Sequence, residues 1–397
     1  MRWLFADPNN ADEAAHVRAT VAAIDRWWQA FQSKQSDLEA LFKRKSDWDL
    51  PQFMEDTLQA IDPRLMWEFG GAVRQPGHRL VITPESQRWL RPTVRTILER
   101  APKIAGWEFY PYRLAETPEQ TIDTVKGRVG VDITGALIDA NVAPGRKVDL
   151  NFAFPGQPDL DEQTAMHAAF VATETLMGEQ MLDTWIGTIG LIEDMPAPGG
   201  RPLPLERAQA TVAALIRGSL DQLPTDRTQD ISVEENWATV KLEAPEPADD
   251  YPGRSDLVVA STHDVELFQA IHSGQSFSSS CHSKLGEQFC YLKLVGAEIP
   301  GGGIVEFRSE FEDALNPALL AANAGCCMGG GSGLRYAYID LALTDLKRAA
   351  PIIRQILAEH NAPVRSWLLF HDDDLAAEWI GIYAQTPPPP EPQSSEE

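Results

Sequence analysis

The stretch HRLVITPESQRWLRPTVRTILERAPKIAGWEFYPYR, residues 78–113, sets the fold class. HRLVIT is a short run rich in β-formers, and GWEFYPYR is a second such run ending near Arg113. Between them Thr83 reads as an N-cap, with Pro84 at the first helical position. Strand, helix and strand in that order make a β-α-β unit, whose helix lies on one face of a sheet.

A second stretch repeats that order. In LRYAYIDLALTDLKRAAPIIRQILAEHNAPVRSWLLF, residues 334–370, Pro351 matches Pro92, Ile353 matches Val94 and Arg354 matches Arg95. Ile356 and Leu357 match Ile97 and Leu98. Each helix then runs out at an Ala-Pro pair, Ala101-Pro102 or Ala362-Pro363, and a strand follows near Trp107 or Trp367. Shared amphipathicity explains the aliphatic matches but not the proline, the arginine and the closing Ala-Pro together. An old duplication of one β-α-β unit is the other reading.

Working outward, Val17, Val21, Ile24, Trp28, Phe31, Leu38 and Phe42 form one apolar stripe over a helix at 11–43. The stripe packs either on its own domain or as a seam between two chains. LMWEF pairs with HRLVIT as a hairpin. VDLNFAF, TWIGTIGLI, DLVVAS, FCYLKLVG and GIVEFRS read as strands; 161–178, 206–222 and FEDALNPALLAAN read as helices. The expected class is α+β: two mixed-sheet units with helices packed on one face, ferredoxin-like being one form this takes, preceded by an N-terminal amphipathic helix. The expected division is a helical segment at 1–60, a first domain at 61–200, and a connecting helix, strand and linker at 201–253. A second domain follows at 254–384, then a disordered proline-rich acidic tail at 385–397. Within the connecting part, DMPAPGGRPLPL (194–205) reads as a connection and PEPADDYPG (245–253) as the inter-domain linker.

Composition narrows function by exclusion. The 397 residues carry a net charge of −24, which opposes nucleic acid and anionic membrane and suits a basic protein partner. No apolar run is long enough to span a bilayer, and the apolar run Trp3-Leu4-Phe5 stops at Asp7, short of a secretory leader. A cytoplasmic location is the expectation, with four free thiols. The oligomeric state is left open.

The run LMWEFGG…HRLVITPESQRWLRPTVRTILERAPKIAGWEFYPYR, with VATETLMGEQMLDTWIGTIGLIE after it, resembles a widespread bacterial domain family of unknown function. The resemblance covers residues 65–193. It implies an α+β fold and a soluble bacterial protein, and leans toward binding or regulation. It transfers no functional residue.

The chemical candidates are few. GCCMGGGSG, Gly325 to Gly333, lacks the lysine of a phosphate loop and precedes a strand, so it reads as a glycine-rich connection without bound phosphate. Cys281, His282 and Cys326 could form a Cys-His nucleophilic site across two loops. With Cys290 and Cys327 they could hold zinc, although the spacing is not that of a zinc site. Asp372 and Asp374, in LLFHDDDL, could hold magnesium or make a tight turn. Tyr110, Tyr112 and Arg113 could present a partner-binding patch. No cofactor motif and no metal-ligand spacing stands out. The expectation is a non-enzymatic protein-binding or regulatory module. The alternative is an enzyme using the Cys281/His282/Cys326 site or the Asp372/Asp374 carboxylates.

Overall fold

The computed structural model describes residues 2–192, 202–231, 237–296 and 304–391. The chain divides into two compact units, Met1–Ile133 with Phe170–Leu182, and Thr134–Ala169 with Asp183–Glu397. The class is α+β, as expected.

The first unit contains α1 (Ala11–Ser33), α2 (Gln35–Phe42), α3 (Leu50–Thr57), β1 (Met66–Gly71), β2 (His78–Thr83), α4 (Arg91–Glu99), β3 (Trp107–Tyr110) and α5 (Pro118–Val129). β1 pairs with β2 antiparallel and β2 with β3 parallel, so residues 78–110 are a β-α-β unit. The helix expected to run unbroken over 11–43 is two helices. α1 ends at Lys34, whose N–H turns back to the Phe31 carbonyl. The apolar stripe packs on its own sheet. Ile24, Trp27, Trp28, Phe31 and Leu38 are buried in one cluster with Leu80, Ile82, Val94 and Ile97, and Trp107 and Phe109 lie against it. Rings interlock there, Phe31 to Trp107 at 5.0 Å and Trp28 to Phe109 at 4.8 Å, both edge-on. Burial of such side chains stabilises by about 1.5–3 kcal/mol each. The helix expected from Pro84 begins instead at Arg91 with Pro92 in its first turn. Thr83 Oγ1 accepts the N–H of Glu85, and Glu85 has φ 49°, so the chain turns here before it can coil.

The second unit contains β4 (Leu137–Val142) and β5 (Val148–Ala153); of the next two helices, α6 (Glu162–Met177) and α7 (Glu179–Trp185), the part Phe170–Leu182 belongs to the first unit. β6 (Ile186–Leu191), β7 (Leu203–Pro204) and α8 (Leu205–Asp221) come next. The order of the first sheet is β6-β5-β4-β7, and α8 packs on it. The remaining elements are β8 (Ala238–Lys241), β9 (Leu257–Thr262), α9 (Val265–Ile271), β10 (Gln288–Val295), α10 (Ile304–Ala321), β11 (Gly325–Gly333), β12 (Tyr336–Leu343), α11 (Leu346–Glu359), β13 (Ser366–Phe370) and β14 (Trp379–Gly381). Seven of these strands form one sheet in the order β14-β13-β10-β12-β11-β9-β8. β12 and β13 both run antiparallel to β10, which lies between them. The second β-α-β unit therefore also joins parallel strands, but with a strand inserted, unlike the first. α10 and α11 pack together, and α10 lies on β11 and β12.

Three expectations are corrected here. GCCMGGGSG is not a connection. It is β11, paired on both sides and mostly buried in the middle of the sheet. Glycine has low strand propensity and offers no alternating side chains, so periodicity cannot reveal such a strand. Its glycines are needed for close approach: Gly325 has φ +139°, and a Cβ on Gly330 would lie 2.3 Å from the Tyr338 carbonyl oxygen. GIVEFRS is not a strand either. From Ile304 it is the first turns of α10, where Phe307, Phe311, Leu315 and Leu319 recur every four residues. Residues 245–253 join β8 to β9 of a single sheet and fold over its face, with Tyr251 buried, so they are a strap and not a linker between domains. The 194–205 connection lies largely outside the described residues.

The tail expected to be disordered from 385 is tied down at its start. Thr386 is 7% exposed, and the Pro387 carbonyl accepts the Trp367 indole N–H at 2.6 Å. Residues 392–397 lie outside the described residues. Removal of residues 386–397 takes the Pro387 carbonyl from the Trp367 indole N–H and uncovers that ring, at a cost of about 0.5–1.5 kcal/mol for the hydrogen bond alone. Urea melts of the shortened chain are expected to show this loss, and a chain ending at Glu391 should melt like the full one.

Candidate functional site

The sequence candidates are placed as follows. Cys281 is buried and donates its thiol to the Thr184 carbonyl at 3.2 Å; burial pushes its pKa up to about 11. His282 stacks on Phe277 at 5.0 Å, and burial lowers its pKa to about 4, so the ring is neutral at physiological pH. Cys326 lies in an apolar cluster with Phe277, Phe289 and Met328, and burial pushes it up to about 12. Cys290 and Cys327 are raised too, again by burial. Among the described residues no hydrogen bond joins a cysteine to His282. A thiolate needs a nearby cation or base in a polar setting. Lys147, whose ammonium shares the Thr184 carbonyl with the Cys281 thiol, and Arg146 favour the Cys281 thiolate, but burial outweighs them. Among the described residues no three His, Cys, Asp or Glu side chains gather as a metal site.

Asp372 is a fastening. It accepts the Ser279 N–H at 2.7 Å and the Ser279 hydroxyl at 2.6 Å, with Gln288 Nε2 at 3.3 Å. Asp373 and Asp374 lie in a single 3-10 turn after β13, which is the turn reading of LLFHDDDL. In the first unit, Arg113 is held by Glu174 at 2.8 Å, by Glu85 and by Glu68 at 3.7 Å. Tyr110 donates to Glu108 at 2.7 Å, and Tyr112 lies under the Arg91 guanidinium at 4.0 Å. Those three residues are engaged within their own unit.

A cluster of interlocked polar and aromatic side chains lies instead on the face of the seven-stranded sheet opposite α10. Alternation along β10, β12 and β13 puts Tyr291, Lys293, Tyr336, Tyr338, Asp340 and Trp367 on that face. The strap closes over them. Lys293 is fully buried; its ammonium donates to the Tyr251 carbonyl and sits 4.0 Å from the Tyr336 ring centre. Burial lowers its pKa to about 8, with Asp256 and Asp250 opposing the shift. Tyr336 donates to Asp250 at 2.5 Å, Arg365 donates to Asp250 and, at 2.9 Å, to the Tyr336 oxygen, and Arg335 donates to the Asp249 carbonyl at 2.5 Å. Asp256 accepts the backbone N–H groups of Arg335 and Tyr336 and the Tyr338 hydroxyl. Arg254 pairs with Asp340 at 2.5 Å.

Beside that pair lies a cavity of about 10 Å³ lined by Asp340, His371, Phe268 and Met328, room for one water at most. Charges this deep are sustained only because each faces an opposite charge, a ring or a carbonyl. The arrangement grips extended backbone and carboxylate.

No family model, curated protein or solved structure matches the chain.

Sequence reading missed Lys293, Arg254, Asp340 and the strap. One signal was available: FCYLKLVG and RYAYIDLAL carry a lysine and an aspartate on otherwise apolar strands, where a buried charge demands a partner.

Proposed function

We propose that the chain is a non-enzymatic binding or regulatory protein organised around a ferredoxin-like unit. The run β10-α10-β11-β12-α11-β13 has β-α-β-β-α-β connectivity. Its strand order is β13-β10-β12-β11, the fourth, first, third and second strands of the run, which supports that reading of the fold. Fold alone does not carry function. What supports the reading is the burial of the reactive groups: Cys281 and Cys326 are buried with thiol pKa values raised, and burial lowers that of His282. Four free, mostly buried thiols fit a reducing compartment such as the cytoplasm.

Alkylation tests this reading. At pH 7.5 the folded chain is expected to take up iodoacetamide at Cys281 and Cys326 no faster than it opens, with labelling rising steeply only above about pH 10. One cysteine that labels rapidly at pH 7.5, and whose serine variant loses a measurable turnover, would move the chain to the enzymes.

A further inference from the structure

Two stretches of this chain share a composition and converge on one patch of the strapped face. Residues 245–253 read PEPADDYPG and residues 386–397 read TPPPPEPQSSEE, prolines and carboxylates with scarcely an aliphatic side chain. The first is seated by Arg335 on the Asp249 carbonyl, by Tyr336 and Arg365 on the Asp250 carboxylate, and by Lys293 on the Tyr251 carbonyl. The second is seated by Trp367, whose indole N–H donates to the Pro387 carbonyl at 2.6 Å, with Pro389 and Pro390 half-buried after it. The two seats adjoin. Tyr336 and Trp367 have ring centres 6.2 Å apart, and the Arg365 guanidinium lies 5.7 Å over Trp367. Gly381 on β14 leaves the space the second segment enters, since a Cβ there would lie 2.8 Å from the Thr386 Cβ.

This is the chemistry by which aromatic surfaces take proline-rich chain. A polyproline segment is already extended, has no internal hydrogen bonds and exposes its carbonyls, so docking costs little order, and an indole N–H is the donor that reads it. Beside the ring, Arg365 recognises a carboxylate, that of Asp250 in the strap. The contacts seen here are to main-chain carbonyls and one carboxylate, groups that any segment of this composition offers. The net charge of −24 opposes an acidic ligand only weakly at this spot. Exposed charges beyond about 8 Å are screened at physiological salt, whereas Arg335 and Arg365 lie in contact range.

We propose that Trp367 is a receptor for proline-rich segments, occupied here by the chain's own residues 386–391, and that a partner bearing such a segment binds by displacing them, with Tyr336 and Arg365 staying on Asp250 of the neighbouring strap. This deepens the binding reading above by naming the chemistry of the partner.

The probe is the synthetic peptide TPPPPEPQSSEE, titrated by calorimetry into a chain ending at Gln385. Saturable one-to-one binding is expected, with a rise in melting temperature as peptide is added. Trp367→Phe in the shortened chain should weaken it about tenfold, the loss of one buried hydrogen bond. The intact chain should bind more weakly than the shortened one, because its own segment competes at high effective concentration. If the shortened chain does not fold, the Trp367 indole N–H resonance of the intact chain, assigned by its absence in Trp367→Phe, should shift at saturating peptide. A folded shortened chain that takes up no peptide, binding indifferent to Trp367→Phe, or an indole resonance that never moves would each overturn the receptor. None of these results touches thiol reactivity, so the broader reading is judged separately.

Discussion

Gly330→Val is expected to unfold the seven-stranded sheet at a cost of more than about 3 kcal/mol, lowering its melting temperature by roughly 10 °C. Gly330 sits opposite Ile339 of β12 and Ser261 of β9. A Cβ added there lies 2.3 Å from the Tyr338 carbonyl oxygen and 3.1 Å from Glu312 Oε1. The carboxylate can move, but the carbonyl cannot without parting two ladders, each hydrogen bond of which contributes about 1 kcal/mol. Overpacking against backbone is one of the few routes to a large single-residue effect. Ser332→Ala, two residues along the same strand, provides the contrast. The Ser332 hydroxyl is buried and makes no hydrogen bond, so its removal should be neutral or slightly stabilising. Thermal melts followed by circular dichroism compare the two.

Glu179→Ala should destabilise the first unit by about 3–5 kcal/mol. Glu179 is 3% exposed and serves three donors. Its Oε1 accepts from Arg91 Nη2 at 2.8 Å and from the Thr83 hydroxyl, and its Oε2 accepts the Arg113 backbone N–H at 2.9 Å. Alanine takes the Glu179 carboxylate away from the Arg91 guanidinium, itself 2% exposed. Deleting one partner of a buried pair costs far more than the pair adds, because the surviving charge keeps its desolvation cost. Glu179→Gln, which retains oxygen and shape, should lose less than half as much. Urea denaturation of both variants settles the order, and equal losses would show that packing rather than charge holds this site.

The parts of the fold legible in the sequence were those where periodicity and turn chemistry agree. HRLVIT and GWEFYPYR alternate and are bounded by glycine and proline, and they are β2 and β3. The α1 stripe recurs every three or four residues and faces the core. Legibility failed where a residue's role is set by what surrounds it. Gly325–Gly333 is a strand because neighbouring backbones come too close for a side chain, which no local propensity records. GIVEFRS alternates over a few residues, yet its phenylalanines fall in register with Leu315 and Leu319 once the helix is extended. The 245–253 strap has the composition of a linker. What fixes it is a buried lysine and two arginines from distant strands. The candidate thiols were chosen for residue type and for His282 beside Cys281, and no local pattern records the burial that raises their pKa values.

The strapped face exists only if Gly325–Gly333 is a core strand, because Tyr338 and Asp340 are held in register by it on one side and by β10 on the other. Hydrogen exchange of the intact chain, read by mass spectrometry at peptide resolution, tests this most directly. Amides of residues 326–333 are expected to exchange as slowly as those of β10 and β12, at the rate set by global opening, with the 245–253 strap intermediate. Rapid exchange across 326–333, with β10 and β12 still protected, would mean that the glycine stretch is a loop and would contradict both the sheet and the binding face built on it.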